Sequence, residues 1–105
     1  MTFKQITMRD AKEIFESNKN GDYIILDVRR PDEFSEGHIP GAINVANESI
    51  GDVEPLELPD KDKLIYVHCR SGVRSKQAAA KLESLGYTNI VEFGGIIDWE
   101  GEIVK

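Results

Sequence analysis

Two unbroken hydrophobic runs and two helical stripes dominate the pattern of this chain. The runs cover residues 23–28, in which Asp27 near the end is the one charged residue, and residues 64–67, and they are rich in isoleucine, valine and tyrosine. Because successive rather than alternating positions are apolar, both runs predict strands buried on both faces of a sheet. One stripe, with apolar residues at Ala11, Ile14 and Phe15, follows a capping-box pattern at residues 7–10, and the other covers residues 75–85. The stripes predict two amphipathic helices.

Weaker signals between these elements predict shorter helices and strands and the turns and loops that connect them. They are an edge strand at 3–6, a helix stop at Asn20-Gly21, a short helix at 31–34, a polar loop at 46–62, a strand at 89–93, a turn at Gly94-Gly95 and a helical turn at 96–99. Strands and helices therefore alternate along the chain. This alternation is typical of an α/β three-layer sandwich in which helices flank a mostly parallel central sheet.

Composition and charge narrow the classes of protein that fit this pattern. A length of 105 residues predicts a single domain over residues 1–105. No apolar run approaches the ~20 residues of a membrane span, and residues 1–6 lack the features of a signal peptide, so we expect a cytoplasmic protein without a membrane partner. A net charge of −6 disfavours binding to nucleic acid. Any anion site must therefore be local.

The sole cysteine, Cys69, lies between the second hydrophobic run and the second helical stripe. A cysteine at the end of a strand that turns directly into a helix faces converging backbone N–H groups and a positive helix dipole. A lone cysteine is most often a small buried hydrophobic residue. Arg70, Gly72 and Arg74 follow within five positions, however, and they favour a thiolate whose pKa is lowered from about 8.5. This stretch therefore predicts an anion pocket with a nucleophile at its floor.

Polar residues elsewhere give weaker signals. Asp27 and Arg29 end the first hydrophobic run, and the carboxyl ends of parallel strands meet at one edge, so we expect both residues to support Cys69. His68 precedes Cys69 on a strand and should point to the opposite face as a hydrogen-bonded core residue. His38 and His68 do not have metal-ligand spacing with the cysteine, and we expect neither a metal nor another cofactor.

Several separated stretches also match one family in the same order. They are Leu26-Asp27-Val28-Arg29 with Glu33-Phe34, then Gly37-His38-Ile39-Pro40-Gly41-Ala42-Ile43-Asn44, Cys69-Arg70-Ser71-Gly72-Val73-Arg74-Ser75, and Gly94-Gly95 with Trp99. On these motifs the chain resembles a single-domain rhodanese. The resemblance covers nearly the whole sequence, and it implies a central parallel sheet flanked by helices.

The resemblance implies a sulfurtransferase. Cys69 would take a sulfane sulfur from thiosulfate or a persulfide, carry it as a persulfide, and pass it to cyanide or to a thiol, including a thiol of a sulfur-accepting protein. The substrate would be bound by the rest of the loop, namely Arg70, Ser71, Gly72, Val73, Arg74 and Ser75. Of the two arginines, one would face the pocket while the other pairs with Asp27 or Glu33. The motif alone does not assign which.

Two other functions compete with sulfur transfer. Cysteine phosphatases and arsenate reductases of related fold resemble a cysteine followed by five residues and an arginine, whereas four residues separate Cys69 from Arg74 here. The shorter loop suits one sulfur atom better than a tetrahedral phosphate. A non-catalytic regulatory or sulfide-sensing module is the second alternative. Such modules in this family typically lack the cysteine, so the complete loop favours activity.

Overall fold

A computed structural model describes residues 3–19 and 21–105, which form a five-stranded parallel sheet with helices on both faces. In chain order the elements are β1 (Lys4–Gln5), α1 (Met8–Ser17), β2 (Tyr23–Asp27), α2 (Pro31–Glu36), β3 (Ile43–Asn44), a 3-10 turn (Asn47–Ser49), β4 (Leu64–Cys69), α3 (Val73–Ser84), β5 (Ile90–Gly95) and a 3-10 turn (Ile96–Asp98). The strand order is β1-β5-β4-β2-β3, and all neighbours run parallel. The predicted α/β sandwich is confirmed.

The two hydrophobic runs become β2 and β4, which are neighbours in the sheet, and β4 is its central strand. One face of the sheet packs against Ala78, Ala79 and Leu82 of α3. The other face packs against Ala11 and Phe15 of α1. Since side chains alternate between the faces along a strand, both faces of β2 and β4 need apolar residues. This requirement explains their unbroken hydrophobicity.

The start of α1 confirms the predicted capping box. Thr7 Oγ1 accepts a hydrogen bond from the Asp10 amide at 3.0 Å, and the Thr7 amide donates to Asp10 Oδ2 at 3.3 Å. The helix ends at Ser17, and Asn20 of the predicted Asn20-Gly21 stop lies outside the described residues. No helix in the part of the chain that the structure describes is long and apolar enough to cross a membrane.

The elements around the cysteine differ from the predicted bounds. Strand β4 continues to Cys69, so the cysteine is the last residue of a buried strand, and α3 begins two residues earlier than expected, at Val73. The predicted turn at Gly94-Gly95 is wrong, because both glycines belong to β5. Gly94 has a left-handed φ of 94°, and the pairing register between β4 and β5 shifts next to it. The glycines therefore distort a strand beside the cysteine loop instead of ending it.

Candidate active site

Cys69 lies at the carboxyl end of the central strand, and three residues connect it to α3. Its side chain is fully buried. The Gly72 amide donates a hydrogen bond to Cys69 Sγ at 3.0 Å, and Ser75 Oγ lies 3.4 Å from the same sulfur. Gly72 has a left-handed φ of 106°, a conformation that glycine adopts without the steric penalty of a side chain. The loop thus curls its backbone around the thiol.

The surroundings of the thiol favour its ionised form. Burial raises the pKa of Cys69, but hydrogen bonds from the Ser75 hydroxyl and from the amides of Ser75, Gly72 and Ser71 lower it by more. The net pKa lies below its ordinary value. Because the thiolate is the nucleophile, this shift increases the reactive fraction at neutral pH without an adjacent base.

The two loop arginines have different partners. Arg74 makes a bidentate ion pair with Glu33, with Nη1–Oε1 and Nη2–Oε2 distances of 2.7 and 3.1 Å. This hydrogen bonding lowers the pKa of Glu33 to about 2 and connects α3 to α2. Arg70 is exposed, and its guanidinium makes no ion pair within residues 3–19 and 21–105. Of the two partners suggested for a loop arginine, Glu33 is therefore the one observed, and Arg70 remains available to an anion.

The other predicted substrate-binding residues divide into two groups. Gly72 and Ser75 are buried and contact the sulfur, whereas Ser71 and Val73 are exposed. Across the described ranges, no three His, Cys, Asp or Glu side chains are grouped so as to hold a metal ion. A surface cavity of about 340 Å³ lies next to Phe15 on the α1 side of the sheet, and Cys69 is not among the residues that line it. The buried thiol therefore lies apart from this cavity, among the residues of its own loop.

Asp27 and Arg29 lie on the opposite face of the sheet from the thiol. Asp27 pairs in register with His68, and Arg29 makes a buried bidentate ion pair with Asp27, with Nη2–Oδ2 at 2.7 Å. Arg29 Nη2 also donates to the Gly37 carbonyl at 2.7 Å. These contacts hold the end of β2 but do not reach the cysteine loop. Any support for Cys69 is therefore indirect, and it stays a prediction.

His68 is fully buried on this same face, as predicted, and its ring packs against Phe93. Nδ1 lies 3.1 Å from the Cys69 carbonyl, which can only accept a hydrogen bond, so Nδ1 carries the proton. Burial lowers the pKa of His68, and Asp27 opposes this effect only in part. Nε2 has no hydrogen-bond partner among the described residues and lies 3.7 Å from Asp27 Oδ2. The neutral ring thus supports the backbone of Cys69 rather than acting on its thiol.

Glu92 is a site residue that the sequence analysis missed. It lies on β5, is only 2% exposed, and accepts hydrogen bonds at Oε2 from Ser75 Oγ at 2.5 Å and from the Gly94 amide at 2.9 Å. Ser75 in turn contacts Cys69. A signal was present in the sequence, because an acidic residue interrupts an apolar strand there. Buried carboxylates need such partners, so a glutamate in a buried strand points to a polar site.

Gly95, expected in a turn, instead lies against the cysteine loop. A Cβ atom at this position would overlap the Arg70 carbonyl oxygen and would lie 2.5 Å from Ser71 Cα. Gly95 also pairs with Cys69 in the sheet. A glycine is therefore required here because two backbone segments approach too closely for any side chain.

Comparison with known proteins agrees with this geometry. Residues 8–102 match the family model of the rhodanese-like domain. The chain is 36% identical to YtwF of Bacillus subtilis, a putative sulfurtransferase, with 97% of this chain and 95% of YtwF covered. It is 35% identical to the thiosulfate sulfurtransferase GlpE of Haemophilus influenzae, with 94% and 90% covered. A solved structure of a rhodanese with anions from Escherichia coli superposes with a TM-score of 0.71 at 32% identity, covering 79% of this chain and 98% of that one. This chain belongs to the rhodanese-like domain family.

Proposed function

We propose that this chain is a sulfurtransferase that carries a sulfane sulfur as a persulfide on Cys69. The observation that carries the proposal is the position of Cys69 Sγ, 3.0 Å from the Gly72 amide in a loop that leads directly into α3. Family membership and the name of the similar GlpE protein support sulfur transfer as the reaction class. The lowered pKa of Cys69 supports its role as nucleophile.

In the first half-reaction, the Cys69 thiolate attacks the outer sulfur of thiosulfate. The new bond joins Cys69 Sγ to that sulfur, the S–S bond of thiosulfate breaks, and its electron pair leaves with sulfite. The loop amides and the N-terminus of α3 stabilise the negative charge on the persulfide. Arg70, the exposed arginine of the loop, binds the anionic donor. A persulfide donor reacts in the same way, with a thiolate as leaving group.

In the second half-reaction, cyanide or a thiolate attacks the terminal sulfur of the persulfide. The S–S bond breaks, its electron pair returns to Cys69 as the thiolate, and the acceptor leaves as thiocyanate or as a new persulfide. A thiol on a small molecule or on a sulfur-accepting protein serves equally well chemically. The scheme needs neither a metal nor an organic cofactor, because the sulfur itself carries the charge in both steps.

The geometry of the loop disfavours phosphatase and arsenate reductase activity. In those enzymes the arginine that closes the cysteine loop has to bind two oxygens of the substrate. Here Arg74 already binds both oxygens of Glu33, and only four residues separate it from Cys69. A non-catalytic module would have no need of a pocket that lowers the pKa of a thiol.

Intact-mass spectrometry after incubation with thiosulfate tests the proposal. We expect a mass increase of one sulfur atom, which disappears when cyanide is added. Cys69→Ser should show no increase, and Thr88→Ala, at an exposed position beyond the far end of α3, should behave like the wild type. An unchanged mass with thiosulfate and with low-molecular-weight persulfides would contradict the proposal. Hydrolysis of an aryl phosphate that depends on Cys69 would instead favour a phosphatase.

A further inference from the structure

The hydroxyl of Ser75 lies between two groups that can both be anionic. Its oxygen is 3.4 Å from Cys69 Sγ and 2.5 Å from Glu92 Oε2, and both of these residues are buried. The carbonyl oxygens of Gly72 and Gly94 lie further away than Glu92, at 3.1 and 3.5 Å. The carboxylate is therefore the nearest acceptor for the Ser75 hydroxyl.

A serine hydroxyl has only one hydrogen to donate. If Ser75 donates it to ionised Glu92, the oxygen can accept a hydrogen bond from the thiol but cannot donate one to a thiolate. If Ser75 donates to a thiolate at Cys69, the Glu92 carboxyl must itself carry a proton in order to bond with the Ser75 oxygen. Two buried anions cannot both be satisfied by this one hydroxyl.

We propose that Cys69 and Glu92 share one proton through Ser75, and that Glu92 holds this proton while Cys69 is a thiolate. The Cys69 S–H proton passes to Ser75 Oγ as the Ser75 hydroxyl proton passes to Glu92 Oε2. No oxidant or further reactant is involved, and the pocket keeps the same net charge. Glu92 acts only through Ser75, so it is a positioning residue.

The other charged and titratable groups around Glu92 do not replace this partner. Lys76 Nζ lies 3.9 Å from Glu92 Oε1, but its side chain is 54% exposed and its charge is screened by solvent. The Gly94 amide donates to Oε2 at 2.9 Å in either protonation state of the carboxyl. Among the described residues, His68 is the remaining titratable neighbour, and its ring packs against Phe93 on the other face of the sheet. Ser75 is therefore the route that connects Glu92 to the thiol.

The inference deepens the proposed function and rests on it only for the transfer step. When an acceptor removes the outer sulfur, Cys69 is regenerated as a thiolate. The proton stored on Glu92 can then return to Cys69 through Ser75. The tests below use protein without donor or acceptor. Failure of the sulfur-loading experiment would therefore leave them valid, and failure of these tests would leave sulfur loading unaffected.

The first test measures the ultraviolet absorbance of the thiolate against pH, which reports Cys69 alone because the chain has one cysteine. The proteins are the wild type, Glu92→Gln, Ser75→Ala, the double variant and Glu13→Gln, with Cys69→Ala as the blank. The side-chain amide introduced by Glu92→Gln would mimic the protonated carboxyl, so the Ser75 hydroxyl stays free to donate to the thiolate, as proposed for the wild type. Glu13 is an exposed residue of α1, and its variant controls for the loss of one negative charge.

We expect Glu92→Gln to leave the midpoint of thiolate formation within a few tenths of a pH unit of the wild type, because the amide replaces a carboxyl that is already protonated when the thiolate forms, and Glu13→Gln should behave in the same way. Ser75→Ala should raise the midpoint by about one pH unit in the wild-type and in the Glu92→Gln background alike, because the hydroxyl donates to the thiolate in both. A midpoint lowered by about one pH unit or more in Glu92→Gln would overturn the proposal, because Glu92 would then be ionised while the thiolate forms. An effect of Ser75→Ala confined to the Glu92→Gln background would overturn it as well, because Ser75 would then donate to Glu92 in the wild type.

A second test needs no variant of Glu92 or Ser75 and remains available if those proteins fail to fold. Infrared spectra of the wild type and of Cys69→Ala are compared at a pH where wild-type Cys69 is a thiolate. We expect the carbonyl stretch of a protonated, buried carboxyl group in the wild type and its loss in Cys69→Ala, where Ser75 donates to an ionised Glu92. Identical spectra in the carboxyl region would contradict the proposal.

Discussion

Two arginines in one loop differ because only one of them meets a carboxylate. The two carboxylate oxygens of Glu33 accept hydrogen bonds from Nη1 and Nη2 of Arg74, so the charge of Arg74 is already neutralised inside the protein. Arg70 has no such partner among the described residues and is exposed beside the cysteine. We therefore expect the structural and the anion-binding functions of the loop to lie on different residues.

Replacement of Arg70 tests its proposed role with the donor. We expect Arg70→Ala to lower kcat/KM for thiosulfate about tenfold or more, because a hydrogen bond to a charged group contributes ~1.5–3 kcal/mol. Steady-state kinetics with cyanide as acceptor measure this effect, and the melting temperature should stay nearly constant. Arg9→Ala, another exposed arginine, is the matched control. Unchanged kinetics in Arg70→Ala would show that the amides alone bind the donor.

The individual site residues are predictable to different degrees. Cys69 and its loop follow from local order, since a strand run, a cysteine and a helical stripe are adjacent in the chain. The pairing of Arg74 with Glu33 is not assignable from the sequence, because it depends on how α2 and α3 pack together. Asp27 lies at the expected edge of the sheet, but the sheet register determines its face. Long-range register is the information that a single sequence does not provide.

Strand β5 contacts the cysteine loop as α3 does. Gly95, its last residue, closely approaches the Arg70 carbonyl, and the Ile97 amide in the following 3-10 turn donates to that carbonyl at 3.2 Å. Gly94 provides the bend that brings its own amide to Glu92. The loop is thus held from β5 as well as from its own helix.

Substitution of Gly95 should disrupt this contact. We expect Gly95→Ala to abolish sulfur loading and to lower the free energy of unfolding by a few kcal/mol, because a methyl group would overlap the backbone of the loop. Urea unfolding and intact mass with thiosulfate measure the two effects. Gly51→Ala is the control, since a Cβ atom there would meet no atom within 4 Å. Normal loading in Gly95→Ala would show that the loop tolerates displacement.

The same glycines show where prediction of the elements fails. Two adjacent glycines are a turn signal in most sequences, which is why a turn is expected at residues 94–95. Here they serve a bulge and a close backbone approach, which have no separate signature in one sequence. The capping box at Thr7 is predicted correctly, because both of its partners lie within four residues. Local hydrogen bonds are visible in a sequence, and packing between strands is not.

The arrangement of the sheet determines where chemistry can occur. Its central strand, β4, ends at Cys69, and α1 and α3 cover opposite faces. The Glu33–Arg74 ion pair connects the segment after β2 to the helix after β4. The alternation of strands and helices in the sequence is sufficient to predict this architecture. The single domain expected over residues 1–105 stays a prediction. We expect this bidentate ion pair to contribute to stability.

The Glu33–Arg74 pair should make stability depend on pH. The pKa of Glu33 is lowered from 4.5 to about 2, so its contribution is present above pH 4.5 and is lost as the pH falls towards 2. We expect Glu33→Gln to be less stable than the wild type at neutral pH, with a difference that shrinks over this range. Urea unfolding at several pH values measures it. Glu36→Gln, on the exposed face of α2, is the control, and a pH-independent difference would contradict the assignment.

The complete burial of the only thiol has a consequence for how long a stored sulfur lasts. The chain has no second cysteine that could attack a persulfide and close a disulfide. Water and bulky molecules are also kept from Cys69 by the loop. In the proposed cycle, a sulfur loaded on Cys69 therefore leaves at a rate set by the arrival of an acceptor small or extended enough to enter. The lifetime of the loaded form would then depend on the concentration of that acceptor and not on a reaction within the protein.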